Sequence, residues 1–191
     1  MVAMKIISVN IRGLGAVEKK REIRRLVSEK KLTVLCIQES KFEVVDEFLC
    51  RSLWGTDPMA FSFKSLVGAS GGIITVWDPS LVDVWLSVNK ANCLIIKGTL
   101  LKYNEVFCLA NIYAPCDSRG RQVLWDTLTS LFQLHCEAAW CVLGDFNAVR
   151  SSEERRGRVE NNTYGDYAPF NQFIDGNFLV DLPLLRSFLV I

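Results

Sequence analysis

Between Ala60 and Tyr113 the chain reads AFSFKSLVGASGGIITVWDPSLVDVWLSVNKANCLIIKGTLLKYNEVFCLANIY. Five β-rich runs lie in this stretch: Ala60–Lys64, Gly72–Trp77, Val82–Val88, Cys93–Leu100 and Val106–Tyr113. The gaps between them are of turn length and too short for the crossover that a parallel pair needs. The strands are therefore expected to pair as antiparallel hairpins.

Outside this block the pattern changes. Lys5–Ile11, Thr33–Ile37 and Trp140–Leu143 read as further strands, and helical spacing marks Val17–Lys30, Val44–Leu53, Arg119–Cys136 and Asp166–Asp175. In the first of these helices Ile23, Leu26 and Val27 form an apolar face. The segment Glu18–Lys31 carries seven Lys/Arg against three Glu, and those charges fall on the opposite, solvated face. The expectation is a mixed α/β (α+β) domain spanning 1–191, with sheet packed on sheet and helices outside.

Composition narrows the function classes. Half of the 191 residues are hydrophobic, 23% are charged and the formal net charge is +1, so disorder is excluded. No apolar run approaches the roughly 18 residues of a membrane-spanning helix. A near-neutral chain has no global field to pull it onto nucleic acid, so any such binding has to be local. Lys5, Asn10 and Arg12 interrupt the apolar start before a cleavable leader could form. The seven cysteines show no CxxC pair, which reads as reduced, mostly buried thiols. The chain is expected to be intracellular, in nucleus or cytoplasm, not secreted, and monomeric. Its last residues, Arg186–Ile191, form a strand-like apolar run, an unusual way for a domain to stop.

Chemistry concentrates where strands run out into loops. Asn10, Gln38-Glu39, Asn111 with Tyr113, and Asp145-Phe146-Asn147 each close a β-rich run. Two carboxylates with neighbouring amides are what a hard divalent cation such as Mg²⁺ requires, since it keeps several waters and uses few protein ligands. A phenol and an amide nearby can donate to charge developing on a phosphoryl oxygen.

The motifs Val9-Asn10-Ile11-Arg12-Gly13-Leu14, Ile37-Gln38-Glu39-Ser40-Lys41, Ser70-Gly71-Gly72, Asn111-Ile112-Tyr113-Ala114-Pro115 and Gly144-Asp145-Phe146-Asn147 occur in that order. Together they resemble the endonuclease/exonuclease/phosphatase superfamily. Arg12-Gly13-Leu14-Gly15, the Tyr113-Ala114-Pro115 run with Arg121 and Leu124-Trp125, and Asp181-Leu182-Pro183-Leu184 are most similar to the apurinic-endonuclease-like domain of plant LINE-type non-LTR retrotransposons. The resemblance implies a four-layer α/β sandwich of the DNase I-like type. It also implies Mg²⁺- or Mn²⁺-dependent hydrolysis of DNA phosphodiesters. Under it Glu39 is the principal metal ligand with Asn10 beside it, and Tyr113 contacts the scissile phosphate. Asp145 orients or activates the attacking water, and Asn147 hydrogen-bonds the phosphate oxygens.

The departures are equally specific. Family members close with a Ser-Asp-His motif that nothing here matches; the single histidine, His135, lies near the end of the third helical segment and reads as structural or surface. After Asp181-Leu182-Pro183-Leu184 the family's closing strands do not follow. The chain is therefore expected to be C-terminally truncated and impaired, the alternative being a non-catalytic relic with weak metal or nucleic-acid binding. Arg12 stands where many repair relatives carry an Asp, and Cys116 where they often have an Asn. A dinucleotide-binding start at Gly13-Leu14-Gly15 is disfavoured by Glu18, whose carboxylate would repel a pyrophosphate.

Overall fold

The computed structural model describes residues 4–67, 70–154 and 167–182. These form two compact units. One comprises the chain up to Tyr113 together with Glu137–Asp145; the other comprises Ala114–Cys136 and the chain from Phe146 onward. The sequence-expected strand-like run at Arg186–Ile191 lies outside the described residues.

The first unit holds two four-stranded sheets. Its strands are β1 (Ile6–Asn10), β2 (Val34–Gln38), β3 (Ala60–Val67), β4 (Ser70–Trp77), β5 (Val82–Lys90), β6 (Cys93–Leu100), β7 (Glu105–Tyr113) and β8 (Ala139–Asp145). One sheet has the order β1-β2-β4-β3 and the other β5-β6-β7-β8. The middle block is antiparallel as expected, with β3 on β4 and β5-β6-β7 as a meander. It is not one continuous sheet, however. Between Trp77 and Val82 the chain passes from one sheet to the other through a turn at Asp78, whose carboxylate accepts from the backbone N–H of Ser80 at 2.8 Å. The outer pairs β1–β2 and β7–β8 are parallel. With β2 antiparallel to β4, the first sheet is not the doubly wound parallel sheet of a dinucleotide-binding fold.

Alternation along the strands explains both layers of core. In β2 every residue is buried, as a strand covered on both faces must be. Leu35 and Ile37 join Ile74 and Val76 under α1 (Val17–Lys30) and α2 (Glu47–Trp54), where Ile23, Val27, Leu49, Leu53 and Trp54 complete the cluster. Val34 and Cys36 point the other way, into the space between the sheets, with Trp77, Ile96, Phe107 and Leu109. Each such aliphatic side chain contributes about 1.5–3 kcal/mol when fully buried.

Local signals set the helix boundaries. The second helix begins at Glu47 and not at the expected Val44, because the Asp46 carboxylate caps it by accepting from the Leu49 N–H at 2.8 Å. In the second unit α3 (Ser118–Leu134) starts behind Asp117, which caps the Gly120 N–H at 2.7 Å, and stops short of the expected Cys136 with His135 as its C-cap. α4 (Ala168–Gly176) follows a 3-10 turn at Ser152–Glu154. Trp125 of α3 is the centre of this unit's core, with ring centroids 4.7 Å from Phe173, 5.3 Å from Phe170 and 6.0 Å from Phe146.

This is a mixed α/β fold with two sheets and helices, the class read from the sequence. Four of the seven thiols are buried and all are free; Cys116 and Cys136 are exposed. Among the described residues no helix is long and apolar enough to cross a membrane.

Candidate active site at the strand ends

The inward-facing rows of the sandwich change character toward one end. β1 presents Ile6, then Ser8, then Asn10; β2 presents Val34, Cys36 and then Gln38; β7 presents Phe107, Leu109, Asn111 and Tyr113; β8 ends in Leu143 and Asp145. Apolar residues fill the lower part of each row, and oxygen- and amide-bearing residues take the last positions. Register aligns these ends, with Asn10 opposite Gln38 and Tyr113 opposite Asp145.

Four hydrogen bonds join the two sheets there. Asn10 Nδ2 donates to Asp145 Oδ2 at 2.6 Å. One step deeper, Gln38 Nε2 donates to Asn111 Oδ1 at 2.6 Å and to Ser8 Oγ at 3.0 Å. Asn111 Nδ2 in turn donates to the Ile74 carbonyl at 3.0 Å and to Thr75 Oγ1 at 3.1 Å. Gln38 and Asn111 are 1% and 0% exposed. The sequence marks both only as amide-bearing residues at strand ends; in the structure they are buried ties beneath the rim.

Glu39 leaves the β2 row altogether. Its φ of 56° is left-handed, as are those of Arg12 and Lys41 at 48° and 61°. Non-glycine residues rarely adopt this conformation, and each such residue costs about 1–3 kcal/mol. A frame of backbone bonds holds it. The Glu39 carbonyl accepts from the Gly13 N–H at 2.7 Å, and the Ser40 carbonyl accepts from the Leu14 N–H at 3.0 Å. The Ser40 N–H donates to the Gly72 carbonyl at 2.9 Å and the Lys41 N–H to that of Gly71 at 3.2 Å. Gly72 has φ +83°, and a Cβ there would lie 2.3 Å from Ser40 Oγ, so the Ser70-Gly71-Gly72 motif makes room for the Glu39 loop. The Glu39 carboxylate is largely shielded and lies 3.5 Å from Lys41 Nζ.

Gly144 explains why a glycine precedes Asp145. A Cβ there would fall 2.0 Å from the Ile112 carbonyl oxygen. Without one, β8 lies close against β7 and carries Asp145 to its place opposite Tyr113.

With this geometry and these motifs in hand, the comparison with known families is direct. The model of the endonuclease/exonuclease/phosphatase family matches residues 7–180. The chain belongs to that family. No curated protein matches it by sequence. Among solved structures this family member is similar to the AP endonuclease LMAP from Leishmania major, with 18% identity and a TM-score of 0.64 over 90% of this chain and 66% of that one. It is similar to the catalytic domain of Xenopus laevis APE2, with 14% identity and a TM-score of 0.65 over 89% and 67%. It is also similar to the endonuclease domain of TRAS1, a telomere-specific non-LTR retrotransposon, with 10% identity and a TM-score of 0.64 over 90% and 71%. The chain thus spans about two thirds of the length of these structures. At such identities the likeness is one of fold.

Of the five residues picked from the sequence, Asn10, Glu39, Tyr113 and Asp145 fall on neighbouring strand ends of the first unit. Asn147 belongs to the second unit, where it has φ 45° and donates through Nδ2 to the Ala114 carbonyl at 2.7 Å. Among the described residues no three His, Cys, Asp or Glu side chains gather as a metal cage. The donors present are hard oxygens, few in number, which suits a cation that keeps most of its waters.

Proposed function

We propose that this chain is a Mg²⁺-dependent phosphodiester hydrolase acting on DNA, with Mn²⁺ able to serve in place of Mg²⁺, and that it derives from the endonuclease domain of a plant LINE-type retrotransposon. The matched stretch 7–180 runs through both units, in keeping with a single domain of this kind. Family membership supports the reaction class, and the Arg12-Gly13-Leu14-Gly15, Tyr113-Ala114-Pro115 and Asp181-Leu182-Pro183-Leu184 motifs support the retroelement origin. The single observation that carries the reading is the Asn10–Asp145 hydrogen bond at 2.6 Å, beside the strand end that bears Glu39. It gathers a carboxylate and an amide from two sheets at one place.

In this reading Glu39 and Asn10 hold the metal. Asn10 uses its amide nitrogen on Asp145 and one lone pair of its oxygen on the Arg12 N–H at 3.1 Å, leaving the second lone pair for a cation. When bound, the metal neutralises charge on the transferring phosphoryl group. Tyr113 donates a hydrogen bond from its phenol to a phosphate oxygen. Asp145, fixed in orientation by Asn10, accepts the proton of the attacking water.

A second reading, metal binding without turnover, is favoured by one observation. The only histidine in these 191 residues, His135, caps the C-terminus of α3 and is not on a strand end of the first unit. An absent acid/base partner costs a factor of about 10²–10⁴ in rate.

The metal assignment is tested by melting the protein with and without Mn²⁺, since a ligand that binds only the folded state raises the transition. Wild type is expected to gain stability and Glu39→Ala to gain none. Equal gains in both would remove Glu39 from the metal site.

A further inference from the structure

We propose that the buried Gln38–Asn111 hydrogen bond is a positioning device that sets the metal-binding carboxylate of Glu39 against the phenol of Tyr113. The inference rests on the reading of Glu39 as a metal ligand.

The pair sits directly above apolar rows on β2 and β7. Below Gln38 on the same face of β2 are Cys36 and Val34, and below Asn111 on β7 are Leu109 and Phe107, all of them buried. A satisfied amide contributes little net stability, and replacing both partners of such a bond by apolar groups of the same shape can be nearly neutral. Stability alone therefore gives no reason for four amide hydrogen bonds at this depth.

Geometry does give one. Gln38 is a single peptide bond from Glu39, and Asn111 lies two residues before Tyr113 on the same face of β7. The backbone bonds that hold the Glu39 loop all run to the loops at Gly13–Leu14 and Gly71–Gly72, which belong with the first sheet. They leave the distance between Glu39 and the second sheet unset. Asn10–Asp145 ties the sheets at the rim, and beneath it the Gln38–Asn111 pair sets this distance next to Glu39 itself, because Gln38 grips β1 through Ser8 and β7 through Asn111, and Asn111 grips β4 through Ile74 and Thr75. Four strands are thereby locked at the level immediately under the site. Side chains that orient a metal ligand without touching the ion commonly change its affinity about 10–100-fold when removed.

The test is Mn²⁺ binding measured by electron paramagnetic resonance without DNA, in wild type, Glu39→Ala and the paired variant Gln38→Met with Asn111→Leu. The paired variant stays close to the amides in shape and removes all four of their hydrogen bonds, including those to Ser8, Ile74 and Thr75. It is expected to melt within a few degrees of wild type while binding Mn²⁺ about 10–100-fold more weakly. A paired variant that melts like wild type and binds Mn²⁺ as tightly would overturn the proposal. Should it melt early, Gln38→Asn, shorter by one methylene and still polar, carries the same measurement: weakened Mn²⁺ binding supports the positioning role and unchanged binding overturns it. Wild type binding no better than Glu39→Ala would instead overturn the metal reading of Glu39 on which this inference stands.

Discussion

Asn10 and Asp145 lie 135 residues apart in the chain, yet Asn10 Nδ2 donates to Asp145 Oδ2 at 2.6 Å, tying the end of β1 in one sheet to the end of β8 in the other. A hydrogen bond to a carboxylate is among the stronger ones in proteins, at about 1.5–3 kcal/mol, and here it also fixes which way the carboxylate faces.

Asn10→Ala is therefore expected to release Asp145 and to remove one candidate metal ligand at once. The rate of plasmid nicking should fall at least about 10-fold, the scale of a lost charge-assisted hydrogen bond. The melting temperature should move by only a few degrees, since both side chains are half-buried. Nicking rates and a thermal melt on the same preparation check this.

Gly144→Ala tests the close approach of β8 to β7. With the Ile112 carbonyl oxygen 2.0 Å from the new Cβ and φ at +133°, one strand has to move. Overpacking and backbone strain together should cost about 2–5 kcal/mol. Urea unfolding monitored by tryptophan fluorescence reads the loss directly.

Arg150 staples the second unit. Its guanidinium donates to Asn171 Oδ1 at 3.0 Å, Asp175 Oδ1 at 2.8 Å and Asp181 Oδ2 at 2.9 Å, while its carbonyl accepts from Asn171 Nδ2 at 3.0 Å. The fork shape matters more than the charge, since a lysine ammonium cannot span three such acceptors. Arg150→Lys should therefore speed hydrogen exchange in α4 nearly as much as Arg150→Ala. Protection restored by lysine would show that charge alone suffices.

Burial raises the Cys50 thiol to about 12 and the Cys93 thiol to about 11, with nearby Asp46 and Glu47 adding to the first. At pH 8 about one Cys93 in a thousand is thiolate, whereas Cys116 and Cys136 are exposed. A thiol reagent should label Cys116 and Cys136 first in the native protein and reach Cys50 and Cys93 only on unfolding. The linkage has a definite sign. The folded state holds these protons more tightly than the unfolded state, so their contribution to stability is intact below about pH 9 and declines as pH rises toward 11 and 12. A melting series from pH 8 upward checks it.

Much of this was readable from residue patterns, and the exceptions have physical causes. The antiparallel middle block followed from gap lengths, and the α1 boundaries from apolar spacing at Ile23, Leu26 and Val27. The passage from one sheet to the other at Asp78 was not readable, because a turn of that length serves a hairpin equally well. Helical spacing in the sequence takes in Val44, but the Asp46 cap overrides spacing. Gln38 and Asn111 close β-rich runs in the sequence but lie one layer beneath the rim. Counting by twos from Val34 and from Phe107 puts both on the core face, which was the available signal. The left-handed backbone of Glu39 had none, since no local residue preference demands it.

The central claim is that Glu39 carries a Mg²⁺-dependent nicking activity. Supercoiled plasmid incubated with Mg²⁺ and either wild type or Glu39→Ala, purified identically and both shown to melt cooperatively, tests it most directly. The account predicts nicked circles with wild type and none with Glu39→Ala. Wild-type protein that leaves the plasmid supercoiled, or nicking that survives the loss of Glu39, would contradict it.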